Sequence, residues 1–247
     1  MERAWLAHCL YSDKHSISPI LFLSCFYLVF IFFPSPTRMP PIHLAADGIT
    51  KRFDRRVVLH NVSFTAQSGS LLGITGHNGA GKSTLMKILA GVLSPTSGSV
   101  TCVVDDTPLD DEARPQQMGF VAPYLALYEE FSPLELMHHV VAMRGLPFDA
   151  AFAETLLHVV GLHERRHDDI RSFSSGMKQR AKYALALVHR PPILLLDEPM
   201  TNLDASGISV VERCIAEQRS TGGIVLLATN DERDIALCDS TVSVEPA

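Results

Sequence analysis

Apolar positions along the chain change period several times, and each change marks an element. Residues Ile42 to Phe53 and Val57 to Phe64 alternate apolar with polar side chains and are rich in β-branched types. This predicts two β-strands around a turn at Asp54-Arg55-Arg56, a hairpin. The apolar run Leu71-Leu72-Gly73-Ile74-Thr75 predicts a buried strand, and Leu85-Met86-Lys87-Ile88-Leu89 a helix that Gly91 ends. After the turn Pro95-Thr96-Ser97-Gly98, Ser99 to Val104 reads as a strand, Asp105 to Pro115 as a solvated acidic loop, and Met118 to Val121 as another short strand. Helical spacing runs from Pro133 to Arg144 and from Phe148 to Val160, stopped by Gly145 and Gly161. The segment Phe173 to Arg180 opens a long amphipathic helix, with Ser174 or Ser175 as N-cap and Ala181, Leu185 and Leu187 on its apolar side. His189-Arg190-Pro191-Pro192 ends it, and Ile193-Leu194-Leu195-Leu196-Asp197-Glu198 follows. Four aliphatics ending in two acids predict a strand buried on both faces with carboxylates at its tip.

The N-terminal stretch follows none of these patterns. Ile20 to Phe33 is apolar except for Ser24, and is shorter than the ~20 residues a spanning helix needs. A signal peptide fits its length and the upstream Arg3 and Lys14, but Pro34-Ser35-Pro36-Thr37-Arg38 is a poor cleavage site. A membrane anchor would shelter the aromatic side chains from Phe22 to Phe33. The favoured reading starts the protein at Met39, because the folded pattern begins just after it and the remainder suffices for one compact domain. Residues 1–38 are then an extension outside the fold, and 39–247 a single domain.

Composition narrows the class. The chain has 247 residues, 47% apolar and 19% charged, which is globular rather than disordered. Its net charge of -6, with acids and bases interspersed, carries no footprint for nucleic acid. The five cysteines are scattered without a Cys-x-x-Cys pair, as reduced packing residues would be.

The sharpest chemical signal is Gly76-His77-Asn78-Gly79-Ala80-Gly81-Lys82-Ser83-Thr84, set between a strand and a helix. Gly76, Gly79 and Gly81 let the backbone curl with its N–H groups inward, so the loop and the helix N-terminus present positive charge to a polyphosphate. Lys82 would reach the β and γ phosphates, and Ser83 would offer an oxygen to Mg²⁺. In a parallel sheet the tip of the Ile193–Glu198 strand lies beside this loop. Asp197 can then hold the metal, and Glu198 can orient or deprotonate a water for attack on the γ phosphate. His163-Glu164-Arg165-Arg166-His167 matches a zinc-protease spacing. It follows a helix-ending glycine, brings two arginines beside the metal and has no third ligand nearby, so a charged loop between helices is the better account.

Together, Gly76 to Thr84, Phe173 to Arg180, Ile193 to Pro199 and Thr201-Asn202-Leu203-Asp204 resemble, in order and spacing, the nucleotide-binding domain of ATP-binding cassette (ABC) proteins, over Ile42 to Val244. The resemblance implies an α/β fold: a P-loop NTPase core sheet, an antiparallel β subdomain and a helical subdomain carrying the signature. It implies ATP and Mg²⁺, and a head-to-tail dimer in which Ser174, Ser175 and Gly176 of one subunit meet the γ phosphate held by the other. Phe53 would stack on adenine, and Asp204 would lie at the dimer seam. A transmembrane permease partner and a cytoplasmic place on the inner face of the membrane are implied too. The short span from Met39 is similar to the small haem-exporter ATPases of cytochrome c maturation.

Three positions depart from the family pattern. Pro123 stands where the family has a metal- and water-sensing glutamine, and a proline offers neither side-chain oxygen nor N–H, so that ligand is lost unless Tyr124 or a water replaces it. Asn230 stands where the family has a histidine; its amide donates a hydrogen bond but does not titrate near neutral pH. Ser175 replaces a glycine and adds a Cβ to the signature. Hydrolysis is still expected, since Lys82, Asp197 and Glu198 are intact. A soluble ABC ATPase acting on nucleic acid or ribosomes, which would carry tandem cassettes or a basic arm, and a slowly hydrolysing ATP-binding switch are the alternatives.

Overall fold

The computed structural model describes residues 38–201 and 203–245, and the alternatives for the N-terminal stretch therefore fall on residues outside the described part. Two sheets form the framework. The first is antiparallel, in the order β2-β1-β4-β5, from β1 (Ile42–Phe53), β2 (Arg56–Gln67), β4 (Ser97–Val104) and β5 (Thr107–Leu109). The second is parallel, in the order β6-β7-β8-β3-β9, from β3 (Leu71–Thr75), β6 (Met118–Val121), β7 (Ile193–Asp197), β8 (Ile224–Ala228) and β9 (Ser240–Ser243). The helices are α1 (Lys82–Leu89), α2 (Pro133–Met143), α3 (Ala150–Val159), α4 (Ser175–Leu187), α5 (Ala205–Ser220) and α6 (Glu232–Ile235).

Every residue of β7 and β8 is buried, which accounts for their unbroken apolar runs. The strand period of two divides them between two cores. Ile193 and Leu195 pack with Leu85 and Ile88 of α1 and with Leu44 and Leu59 of the antiparallel sheet. Leu194 and Leu196 pack with Leu136 of α2, Leu157 of α3, Tyr183 of α4 and Val211 of α5. The parallel sheet is thus sandwiched, and its polar C-terminal ends are what it leaves for chemistry.

The helices stop and start where local chemistry dictates. Ser132 and Glu135 close a capping box on α2, with Glu135 Oε2 accepting from the Ser132 N–H at 2.8 Å. Asp149 Oδ1 accepts from Phe152 N at 3.0 Å and sets the start of α3 at Ala150, two residues beyond the sequence expectation. Ser174 is the N-cap of α4. His163–Arg165 forms a single 3-10 turn between α3 and α4, with the His163 ring stacked on His158 at 3.5 Å, so the His-Glu-x-x-His segment is a charged connection as expected.

The expected solvated loop from Asp105 to Pro115 is a correction. Asp105 and Asp106 both take positive φ, 50° and 57°, and make a two-residue hairpin turn whose twist suits the strands on either side. Thr107–Leu109 then pairs back on β4, with Val104 opposite Thr107 and Cys102 opposite Leu109. Pro108, which lacks a donor, is tolerated because β5 is the sheet edge. Asp110 Oδ1 next accepts from the Ala113 N–H at 2.6 Å and leads into a 3-10 turn over Arg114–Gln117. The first hairpin is also tighter than expected: Phe53 pairs with Arg56, leaving only Asp54 and Arg55 in the turn.

Candidate nucleotide site

The loop from Gly76 to Gly81 leaves the C-terminal end of β3 and enters α1 at Lys82. Gly76, Gly79 and Gly81 all have positive φ (146°, 83° and 110°). A Cβ on Gly76 would collide with the Val244 carbonyl oxygen, and one on Gly81 would lie 2.8 Å from the Val58 carbonyl oxygen and from Leu59 Cδ2. These two positions need glycine for space as well as for conformation. His77, Asn78 and Gly79 are exposed, Ala80 is buried, and Ser83 and Thr84 are half-buried in the first turn of α1. α1 begins without a side-chain cap, so its first N–H groups stay available to an anion.

Lys82 is only 5% exposed, yet it makes no ion pair among the described residues. Its Nζ donates to the carbonyl oxygens of Gly76 at 2.7 Å and His77 at 3.3 Å. A buried ammonium satisfied by two loop carbonyls is a cation held ready for an anion in the same loop.

Across from the loop, at the end of β7, Asp197 is 1% exposed and neither of its carboxylate oxygens has a hydrogen-bond partner among the described residues. An unpaired buried carboxylate is costly unless a cation completes it. Its bare carboxylate, like the Ser83 hydroxyl, is a hard oxygen donor of the kind Mg²⁺ takes. Glu198 comes next, half-buried, with φ at 47°, a conformation that costs a non-glycine residue about 1 kcal/mol. Its N–H is anchored to the Ala228 carbonyl at 2.8 Å.

Asn230 lies just past β8. Thr229 is fixed from both sides, by its N–H donating to Ile74 O at 3.1 Å and its hydroxyl donating to Asp234 Oδ2 at 2.9 Å. Asn230 Nδ2 then donates to Asn78 Oδ1 at 3.0 Å. Sequence reasoning named both asparagines but not their contact, because 152 positions separate them. On the remaining rim, Pro123 and Tyr124 follow β6, and Tyr124 is half-exposed.

The other named residues do not converge on the loop. Ser174 and Ser175 are exposed and Gly176 half-buried at the start of α4; Ser174 Oγ accepts from Met177 N at 3.3 Å, and no hydrogen bond among the described residues joins them to Gly76–Thr84. Asp204 is the N-cap of α5, its Oδ1 accepting from Gly207 N at 2.8 Å and Ser206 Oγ at 2.9 Å, and these bonds hold its carboxyl below the usual range. Phe53 is 46% exposed at the end of β1, with Lys51 Nζ 5.0 Å above its ring.

A glycine-rich loop between strand and helix, a buried lysine within it and an unpaired acid at the tip of β7, separated from β3 by β8 alone in the same parallel sheet, define a nucleoside triphosphatase of the phosphate-loop class. Residues 59–201 match the ABC transporter family. An uncharacterized ABC transporter ATP-binding protein of Bacillus subtilis is 30% identical over 78% of this chain and 88% of its own length. A solved ATP-binding subunit of an ABC transporter superposes with a TM-score of 0.73 at 29% identity, over 82% of this chain and 85% of that one. A dimeric ATP-binding cassette in a post-hydrolysis state with ADP and Pi shares the fold, with a TM-score of 0.71 at 23% identity over 82% and 94% of the two chains. The chain belongs to the ABC transporter family, as an ATP-binding and ATP-hydrolysing subunit. No helix among the described residues is long and apolar enough to cross a membrane.

Proposed function

We propose that residues 39–247 are a nucleotide-binding domain that works as half of a head-to-tail pair, with residues 1–38 outside it. The observation that carries this reading is the separation within one chain: the phosphate loop is complete, while the signature end of α4 stands exposed and unattached to it. A second domain, identical or homologous, would bring its own Ser174–Gly176 region to this ATP, and Asp204 would lie along the seam. That a cassette of the same fold forms dimers agrees with this. Phe53 would stack on adenine, its half-exposed ring offering a face to the base. The pair would drive a separate transmembrane permease from the cytoplasmic face of the membrane, without nucleic acid.

In the reaction, Lys82 would exchange its loop carbonyls for the β and γ phosphates. Asp197 and Ser83 would hold Mg²⁺, which when bound neutralises charge on the phosphate oxygens. Glu198 takes a proton from water as the water oxygen bonds to the γ phosphorus and the bond to the β–γ bridging oxygen breaks, giving ADP and phosphate. Asn230 would donate to the γ phosphate from its place beside Asn78.

Glu198→Gln keeps shape and loses the base. It is expected to trap an ATP-dependent dimer, seen by size exclusion as a shift to twice the mass with MgATP and none without. A monomer under both conditions contradicts the head-to-tail reading.

A further inference from the structure

The main chain on both sides of Asn230 is fixed, but its side chain depends on a partner from the phosphate loop. Before it, the Thr229 N–H donates to Ile74 O at 3.1 Å; after it, the Asp231 N–H donates to the Thr229 hydroxyl at 3.0 Å, and Asp231 Oδ1 accepts from Arg233 N at 2.9 Å at the start of α6. These bonds place the backbone of Asn230 and leave its exposed amide free to turn. The terminal torsion of an asparagine is broad and roughly two-fold, so an unpartnered amide would offer a phosphate its oxygen as readily as its N–H groups. Asn78 removes that ambiguity. Its Oδ1 accepts from Asn230 Nδ2 at 3.0 Å, which turns the nitrogen rather than the oxygen toward the loop. An amide nitrogen carries two hydrogens, so a second N–H remains for another acceptor.

Asn78 is itself held from the loop side. His77 Nδ1 lies 2.7 Å from the Asn78 carbonyl oxygen, and the His77 carbonyl accepts from Ala80 N at 3.1 Å and from Lys82 Nζ at 3.3 Å. Among the described residues the Asn78 side chain makes no hydrogen bond besides the one to Asn230. On the opposite rim, Pro123 has no side-chain donor, and the carbonyl oxygens of Ala122 and Pro123 accept from Lys182 Nζ of α4 at 3.1 Å and 2.8 Å. With no donor from position 123, the direction of the Asn230 amide matters more.

We propose that Asn78 is a positioning residue for Asn230: its side-chain oxygen fixes the amide with nitrogen toward the loop, so that the second N–H is set for the γ phosphate. This role is separate from the hold that the loop backbone and Lys82 have on the phosphates. The inference rests on the reading of Asn230 as a γ-phosphate donor.

ADP with aluminium fluoride mimics the phosphoryl group in transfer and gives a readout without turnover. Calorimetry on the full chain with Mg²⁺ compares its affinity with that of ADP alone. Asn230→Ala is expected to lower the preference for the mimic by ~10²-fold. Asn78→Ala should lower it by about tenfold, with ADP affinity and Tm unchanged, and should lower it no further when combined with Asn230→Ala, because both act through one donor. If Asn230→Ala loses the preference but Asn78→Ala keeps it, or if the two effects multiply, the positioning role is overturned and the reading of Asn230 stands. Equal weakening of ADP and of the mimic by Asn78→Ala would mark a role in loop structure and overturn it too. If the wild type has no preference for the mimic, or Asn230→Ala retains it, both fall.

Discussion

On one side of the nucleotide site, from Gly76 to Ser83 and at Asp197 and Glu198, every side chain is of the type that phosphate and metal chemistry asks for. It is held by backbone: Lys82 by loop carbonyls, Glu198 by the Ala228 carbonyl, Asp197 by its place in a buried strand. On the other side, at Pro123 and Asn230, the side chains depart from the family pattern, and the contacts are side chain to side chain or reach through a neighbour: Asn230 to Asn78, Thr229 to Asp234, Lys182 to the Pro123 backbone. The difference teaches where substitution is tolerated. A residue whose position is fixed by a sheet and whose charge would meet phosphate is expected to tolerate no substitute, whereas the second side, with a proline at 123 and an amide at 230, is expected to tolerate more.

The comparison breaks first at Lys82. Lys82→Ala removes a buried ammonium from the phosphate loop, and losing two charge-assisted hydrogen bonds of about 1.5–3 kcal/mol each corresponds to ~10²-fold or more in affinity. Equilibrium binding of a fluorescent ATP analogue measures this. Unchanged affinity in a folded variant would mean that the side with intact residues is not the one that holds the triphosphate.

On the second side the expected effects are smaller and fall first on stability. Thr229→Val keeps the shape but leaves the Asp234 carboxylate and the Asp231 N–H, which also donates to Thr229 Oγ1 at 3.0 Å, without their shared partner. Removing a hydrogen bond to a buried charged group costs about 1.5–3 kcal/mol, to be read as a lowered denaturation midpoint at unchanged slope. Nucleotide affinity should move far less than in Lys82→Ala. A variant as stable as wild type would show that the anchoring of Asn230 does not depend on Thr229.

The division between the two sides also explains what the sequence made legible. The phosphate loop, β7 and its acids, α4 and its Ser174 cap are local patterns, in which spacing of glycine, aliphatic and acidic residues dictates conformation within a few positions. Asn78 with Asn230, and Lys182 with Pro123, join residues far apart in the chain through tertiary packing, and no local period encodes them. β5 was missed for another reason: its turn is Asp105-Asp106 rather than a glycine pair, and the acids that adopt positive φ there also read as a solvated loop. The surroundings of α6 and β9 carry too few apolar positions to show a period at all.

The measurement that bears most directly on the account is steady-state phosphate release by the full chain, wild type against Asn230→His. The claim is that the intact side carries hydrolysis and that an amide at position 230 supplies the one donor the γ phosphate needs. Wild-type release should then be abolished by Glu198→Gln, and Asn230→His should change the rate by less than about tenfold. A missing transition-state donor typically costs ~10²-fold or more, about 2.7 to 4 kcal/mol. A gain of that size in Asn230→His would contradict the account and mark the natural protein as a slowly hydrolysing switch.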